Sequence, residues 1–445
     1  MNKINLTANK RMSYLFYTII TIAFAALASI AFGVSAGILV SLSWVVLPFA
    51  IKYRFHALNL FLIGYAFLPD ALILACEFLF FAIFILDIVV LKKKFKLNSM
   101  IIPILLIIVL AIINSFTGLN VIGSMRDLAM NFGAFFTMLL LVQETDSKER
   151  LNTILTSISI GAFLVAIFGL FQFTFMGSVN REWIDKSLKD EITRRAYSVF
   201  YNPNIFAEYI VLTTPIAVAQ FWANKDRFKK FVYLGIVGTL LLNLMLTFSR
   251  GGLVAIAVAA IVFLFFTLRS LIFFSMPFAA LGFNFLPESI QNRIISIFNF
   301  ADTSTSYRFR MWEITTDVIR DHPTVGVGFG HKTFKQVFEQ YIRSMPIFHA
   351  HNTYLEVLAE TGFVGLIAFL YLIVVSFINV IKSGIKSSDY YIRVVSAAVL
   401  ASAAGILAHG MFEHIVYINR IIVMLWVILG LSYIIKNITK IENKE

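Results

Sequence analysis

Apolar residues occupy this chain in long blocks, and polar residues are largely confined to the gaps between them. A helix needs about 20 apolar residues to cross a bilayer, with slack for tilt or interior burial. Blocks near that length fall at 13–32, 34–51, 55–68, 70–91, 100–117, 127–143, 152–176, 205–222, 231–248, 251–268, 270–285, 361–381, 393–411 and 415–436. The blocks at 55–68 and 270–285 are the weakest and read as re-entrant or half-length. The pattern predicts an all-α, polytopic integral membrane protein with about 12–14 transmembrane helices and a large helical extracytoplasmic loop. It divides into N-terminal helices (1–176), a core with the loop 286–350 (177–381), and C-terminal helices with a tail (382–445).

The loop 286–350 is the one long polar interruption, and it gathers Arg293, Arg308, Arg310, Arg320, Arg343, His322, His331 and His349. Cationic and titratable groups concentrated in a membrane protein mark a site for an anionic substrate. Within the loop, Thr315 to Arg320 has helical character and ends before His322-Pro323, Gly326, Gly328 and Gly330 mark turns, and a short helix is expected from Lys332 to Arg343.

Composition sharpens this picture. With 59% hydrophobic residues, 46 phenylalanines and a mean hydropathy of +0.84, the chain is too apolar for a soluble domain. The net charge of +12 does not imply nucleic acid, because most excess lysines cluster at the ends of apolar blocks. With a cytoplasmic N-terminus, strict alternation puts Lys52 to Arg54, Lys92 to Lys96, Lys148 to Arg150, Lys225 to Lys230, Arg269 and Lys382 to Lys386 on the inner side. The loop 177–204, the joint Ser249-Arg250-Gly251-Gly252 and the loop 286–350 then face outward. Lys3, Lys10 and Arg11 precede a run read as an uncleaved first span. Cys76 is the single cysteine, so no intrachain disulfide can form. No internal repeat or inverted repeat is visible.

Arg250 is the sharpest candidate. An arginine at an apolar joint costs a few kcal/mol unless paired; it either snorkels from a helix end or holds an anion, and Gly251-Gly252 favour the anion by leaving backbone N–H groups approachable. Arg308 and Arg310, among Tyr307, Phe309 and Trp312, offer bidentate phosphate ligands with aromatic neighbours for sugars, or form an interfacial strip. Gly326 to Gly330 lacks the spacing of a dinucleotide loop; a turn admitting a headgroup or glycan near Gly328 is the simpler reading. His349 and His351 are conceivable metal ligands, yet nothing stands at metal-site spacing from them. His351, opening the segment Asn352 to Glu360, suits a general base, or else a structural cap. Arg195, Asn202 and Asn204 precede a span that they can cap while binding sugar hydroxyls. Arg126 and Arg420 lie near outer span ends.

The segments RAYSVFYNPNIFAEY, FSRGG around Arg250, Arg308 four residues before Trp312, DHPTVGVGFG and HNTYLEVLAETGFVGL occur in the order typical of one family. Over about residues 190–370 the chain resembles the O-antigen ligase and O-antigen polymerase superfamily. That resemblance implies a bacterial cytoplasmic (inner) membrane glycosyltransferase, with its site on the periplasmic or extracellular face. It would be metal-independent and inverting, and would need no cofactor. The implied donor is an undecaprenyl-diphosphate-linked glycan and the acceptor a glycan or lipid A-core hydroxyl; an O-antigen or capsule polymerase is the alternative. By motif position Arg250 and Arg308 hold the diphosphate and His351 is the essential histidine, while Arg310 beside Arg308 leaves open which arginine points inward. A flippase would spread its charges through the spans and show paired halves.

Overall fold

The computed structural model describes residues 49–94, 101–176, 194–298, 303–343 and 349–442, with scattered positions between 15 and 41. About half of each of the expected spans at 13–32 and 34–51 falls outside the described residues, and the described positions within them are helical. Helices in chain order are α1 (Arg54–Gly64), α2 (Asp70–Ile85), α3 (Ile101–Thr117), α4 (Val121–Glu144), α5 (Lys148–Phe175), α6 (Pro203–Ala223), α7 (Arg227–Leu246) and α8 (Arg250–Thr267). Then follow α9 (Arg269–Phe283), α10 (Glu288–Ile295), α11 (Thr303–Asp321), α12 (His331–Tyr341), α13 (Thr353–Lys386), α14 (Tyr390–His409) and α15 (Asn419–Glu442). Among the described residues nine helices are long and apolar enough to cross a membrane. The protein is an all-α, multi-pass membrane protein. The two weakest blocks became short helices: α1 has 11 residues and α9 has 15.

Polar caps set several helix starts earlier than hydropathy alone suggests. The Asn120 side chain accepts from the Gly123 N–H at 2.8 Å, so α4 begins before its apolar run. Asn352 accepts from the Tyr354 and Leu355 N–H groups and starts α13 eight residues ahead of the expected span. The helix then breaks at Gly362, where φ is +67° and a Cβ would run into the Thr324 carbonyl.

The bundle core is built where small residues let backbones approach. α14, with Ala397, Ala398, Ala401 and Gly405 buried or nearly so, packs on α8 and α6. A Cβ at Gly405 would meet Val211 Cγ1 at 2.9 Å, and one at Gly252 would meet Ala207 Cβ at 2.8 Å. α15 packs on α4 and α13.

The two ends of the bundle differ chemically. One end carries Arg54 between Asp87 (2.6 Å) and Glu144 (2.9 Å), Lys93 on Asp87 and Lys148 on Asp389, and it holds the basic clusters assigned to the inner side. The other end is covered by α10, α11 and α12: α11 and α12 share a small core in which Met311, Ile314, Val318, Phe334 and Phe338 close over Ala350 and Ala359, while Ile290 of α10 packs on Phe248. The loop helices run longer than sequence suggested on one count, since α11 starts at Thr303 rather than Thr315. Docking of this cap explains the glycine strip. Val327 N–H donates to the Ala359 carbonyl (2.8 Å) and Gly328 N–H to the Glu360 carbonyl (3.1 Å), with φ positive at Gly326, Gly328 and Gly330. A Cβ on Gly328 would lie 2.6 Å from Gly118 Cα. At Gly328, expected from sequence to admit a ligand, the backbone that comes close is that of α3's end.

Candidate active site

Beneath the cap four guanidinium groups from four separate segments line one pocket. Arg195 comes from the loop before α6, Arg250 from the first turn of α8, Arg293 from α10 and Arg308 from α11; Asn204, Ser249, Gly251, His409, Phe412 and Glu413 complete the lining. Three of the four donate to backbone carbonyls, and Arg195 also donates to Asn204 Oδ1 at 3.3 Å. Arg195 Nε–H donates to Thr247 (2.7 Å), Arg250 Nη1–H to Ser296 (3.1 Å) and Arg293 Nε–H to Phe248 (2.8 Å). Burial, then the charges of Arg293, Arg308 and Arg250, pull the Arg195 guanidinium down to about 9, so it is still protonated at neutral pH. Four cations face one lining carboxylate, Glu413, and this imbalance favours an anion.

Glu413 is 3% exposed and works on two sides. Its Oε2 accepts from Asn204 Nδ2 at 3.0 Å, while its Oε1 lies 2.6 Å from His351 Nδ1 and 3.3 Å from His349 Nε2. Burial by itself would raise this carboxyl, but His351 beside it, joined by His349 and Arg308, outweighs burial and holds it well below the usual carboxylate range. The His349 imidazole is driven well below its ordinary value by burial and by His351, so the ring is neutral. His351 N–H donates to His349 Nδ1 (3.2 Å), which places the His349 proton on Nε2, toward Glu413. The same carboxylate holds the His351 proton on Nδ1 and leaves its Nε2 as an acceptor.

The backbone supports this placement. His351 has φ +50°, and Phe248 (+50°), Ser198 (+50°) and Tyr201 (+56°) share the left-handed region at the same end of the bundle. Such strain in non-glycine residues gathers where a site over-determines the chain. Thr353 locks the loop: its N–H donates to the Gly410 carbonyl (2.8 Å) and its hydroxyl to the Glu413 carbonyl (2.8 Å).

Of the residues singled out from sequence, Arg250, Arg308, Arg195 and Asn204 meet in the pocket, and His351 stands behind its Glu413 wall. The others lie elsewhere. Arg310 pairs with Glu313 one turn along an exposed helix face, so of the two neighbouring arginines Arg308 is the one that turns inward. Trp312 Nε1–H donates to the Ala350 carbonyl at 3.1 Å and anchors the loop that carries His351. The Asn352 side chain caps α13 and donates to the Met411 carbonyl, and Arg420 bonds the carbonyls of Val199 and Leu68. Arg126 pairs with Asp70 at 3.3 Å.

Sequence reasoning named Arg293 only as one of the loop's cations, and it missed His409 and Glu413. His409 is 1% exposed, lines the pocket, and points Nδ1 toward Glu208 at 3.6 Å. The segment His409-Gly-Met-Phe-Glu-His414 carries three titratable side chains in six residues between two spans, a signal that could have drawn notice. His349, His351 and Glu413 also bring three potential metal-ligand atoms within 4.8 Å. Within the trio the His351 N–H donates to His349 Nδ1, which occupies that nitrogen and leaves His349 Nε2, His351 Nδ1 and Glu413 Oε1 facing one another.

Residues 235–370, which run from α7 through the cap into α13, match the O-antigen ligase family model. Over 88 residues, 18% of this chain and 20% of the relative, the sequence is 32% identical to the exopolysaccharide production protein ExoQ of Rhizobium meliloti (strain 1021). Over 177 residues, 36% of this chain and 42% of the relative, it is 25% identical to the "Putative polysaccharide ligase RP358" of Rickettsia prowazekii (strain Madrid E). The similarity thus spans less than half the length of either relative. It falls on a membrane-embedded helical scaffold, and what the family model and the two relatives show together is that residues 235–370 of this chain are similar to the O-antigen ligase family.

Proposed function

We propose that this protein transfers a glycan from a polyprenyl diphosphate, of the undecaprenyl type, to an acceptor hydroxyl. The observation that carries the reading is the convergence of Arg195, Arg250, Arg293 and Arg308 beside an imidazole held by Glu413. The acceptor oxygen attacks the anomeric carbon, the bond from that carbon to the phosphate oxygen breaks, and its electron pair leaves on the diphosphate. The leaving group gains a negative charge as it departs, and preorganised guanidinium groups stabilise that growing charge more than the ground state. His351 Nε2 takes the acceptor proton, Glu413 steadying the imidazolium that forms. His409 offers the diphosphate a further hydrogen bond. A single displacement inverts the anomeric centre, and the fixed cations fill the role that a metal ion plays in other phosphate-releasing sites.

The acceptor decides the reaction's name. Transfer to a lipid A-core hydroxyl makes a ligase, the reading favoured here by the name of the Rickettsia relative over the longer match. Joining carrier-linked repeats would instead make a polymer; the Rhizobium relative is named for exopolysaccharide production. The site would face the periplasmic or extracellular side of the bacterial cytoplasmic membrane, because the opposite end of the bundle carries the basic clusters. Purified protein incubated with lipid-linked glycan and each acceptor tests this: covalent transfer without added metal is expected, and the absence of any product with all acceptors, in protein shown to be folded, refutes it.

A further inference from the structure

A second pocket lies on the other side of the histidine wall, and its chemistry is the reverse of the first. Glu413 faces the arginine pocket, while the next residue, His414, faces this one together with Asp127, His331, Glu360 and Tyr417. From that polar rim the pocket continues as an apolar cleft between α3, α4, α13 and α15. It passes Asp127 to Phe135 on α4 and Glu360 to Leu372 on α13, and reaches Trp426 and Leu429 on α15. At 1.5 Å rise per residue those stretches are about 12 Å and about 18 Å long, the length of a single alkyl or isoprenoid chain rather than of a sugar.

The rim is short of hydrogen-bond donors. Asp127 Oδ2 faces His331 Nδ1 at 2.9 Å and Glu360 Oε2 accepts from the Gly330 N–H at 3.0 Å; behind the lining, Glu356 Oε2 accepts from the Ala350 N–H. The second oxygen of each carboxylate, and His414 Nδ1, is buried without a hydrogen-bond partner among the described residues. Glu356, Glu360 and His414 direct atoms to within 4.8 Å of one another. Buried polar atoms in this state call for a ligand that hydrogen-bonds to them. A phosphate finds no cation among the arginines and lysines here, since the lining holds Asp127 and Glu360 and none of either, whereas the arginine pocket is suited to it. The His414 and Tyr417 rings stack at 5.6 Å with an interplanar angle of 11°, giving the rim a flat face of the kind sugars pack on.

We infer that this second pocket binds a single-chain amphiphile with an uncharged, hydroxyl-bearing head, the chain lying in the cleft and the hydroxyls donating to Asp127, Glu360 and His414. The inference stands apart from the proposed transfer reaction, since it concerns what the pocket holds and not what the arginine site does to it.

The test uses the full chain in lipid nanodiscs and two photoreactive probes of equal chain length, a diazirine-bearing dodecyl glucoside and a diazirine-bearing dodecyl phosphate. After irradiation, labelled peptides are identified by mass spectrometry, with the lipid-facing surface of α7 as background. The glucoside should label the cleft segments of α4, α13 and α15 about tenfold more than the phosphate does. Ala111→Phe, which fills the cleft from α3, should abolish that labelling, and Asp127→Asn with Glu360→Gln should let the phosphate label as well as the glucoside. Equal labelling by both probes in the unaltered protein, or cleft labelling no higher than that of α7, overturns the inference. So does a stoichiometric metal found by elemental analysis and lost on Glu360→Gln, because a metal would occupy the acceptors assigned to the head.

Discussion

Replacing Glu413 with glutamine isolates the wall between the arginine pocket and His351, because the side chain keeps its shape and loses its charge. The carboxylate accepts from Asn204 on one oxygen and turns the other toward His351 Nδ1 (2.6 Å) and His349 Nε2 (3.3 Å). An amide offers one accepting oxygen and one donating NH2, so in either orientation a donor faces a donor. A lost hydrogen bond to a charged group costs about 1.5–3 kcal/mol, and one buried group left unmatched costs about 1–3 kcal/mol. Should the amide oxygen turn to Asn204, His351 loses its tautomer and orientation; a comparable change in a serine protease triad lowers kcat by about 10⁴. Glu413→Gln should therefore lower kcat by about 10²–10⁴ in a glycan-transfer assay. KM for the lipid-linked donor should stay level or fall, since the one lining carboxylate near the diphosphate is neutralised. A rise in KM at unchanged kcat, or unchanged kinetics altogether, would refute Glu413 as the group that orients His351.

Arg308→Ala should reduce kcat/KM by about 10²–10³, the loss typical for one preorganised charge-stabilising donor, whereas Arg310→Ala should stay within about threefold, because its exposed pair with Glu313 is worth only a few tenths of a kcal/mol; steady-state kinetics on both variants checks which arginine the site uses. His409→Gln should weaken binding of the lipid diphosphate by about tenfold or more, read by thermophoresis, while His351→Gln should leave that binding intact and abolish transfer. Gly362→Ala should destabilise the cap by about 1–3 kcal/mol or more, as it forces a side chain into φ +67° and against Thr324; a lowered melting temperature with protease cuts in α11 or α12 is the expected sign. Glu413 titrates below an unfolded value of about 4.3, so its contribution to stability is full above that pH and is lost as pH falls through the depressed folded value. His349 and His414, the latter pushed down to about 3 mainly by burial and His331, likewise favour the fold above about 6.5 and disfavour it on acidification; melting temperature should fall steadily from pH 6.5 downward, and Glu413→Gln should flatten the part of that fall below about pH 4.3.

Hydropathy determined most of the architecture, because in a bilayer every backbone polar group must be satisfied within its own helix, so span length and apolar content are written locally. The placement of Arg250 and Arg308 was legible for a related reason: a guanidinium at an apolar joint, or beside aromatics in a polar loop, stands out against its neighbours in sequence. What the chain could not announce was distance. Arg293 looks like any loop arginine until α10 docks it under Phe248, and Arg308 and Arg310 are indistinguishable until α11 turns one inward and the other toward Glu313. Glu413 and His409 sit about 60 residues beyond His351 in the chain, and only the packing of α14 against α6 and α8 carries them to the pocket. The glycines of the cap were read as room for a ligand because φ and spacing are local, yet which backbone fills that room is a tertiary fact. Local chemistry determined which groups could act; the folding of distant segments onto one another decided which of them meet.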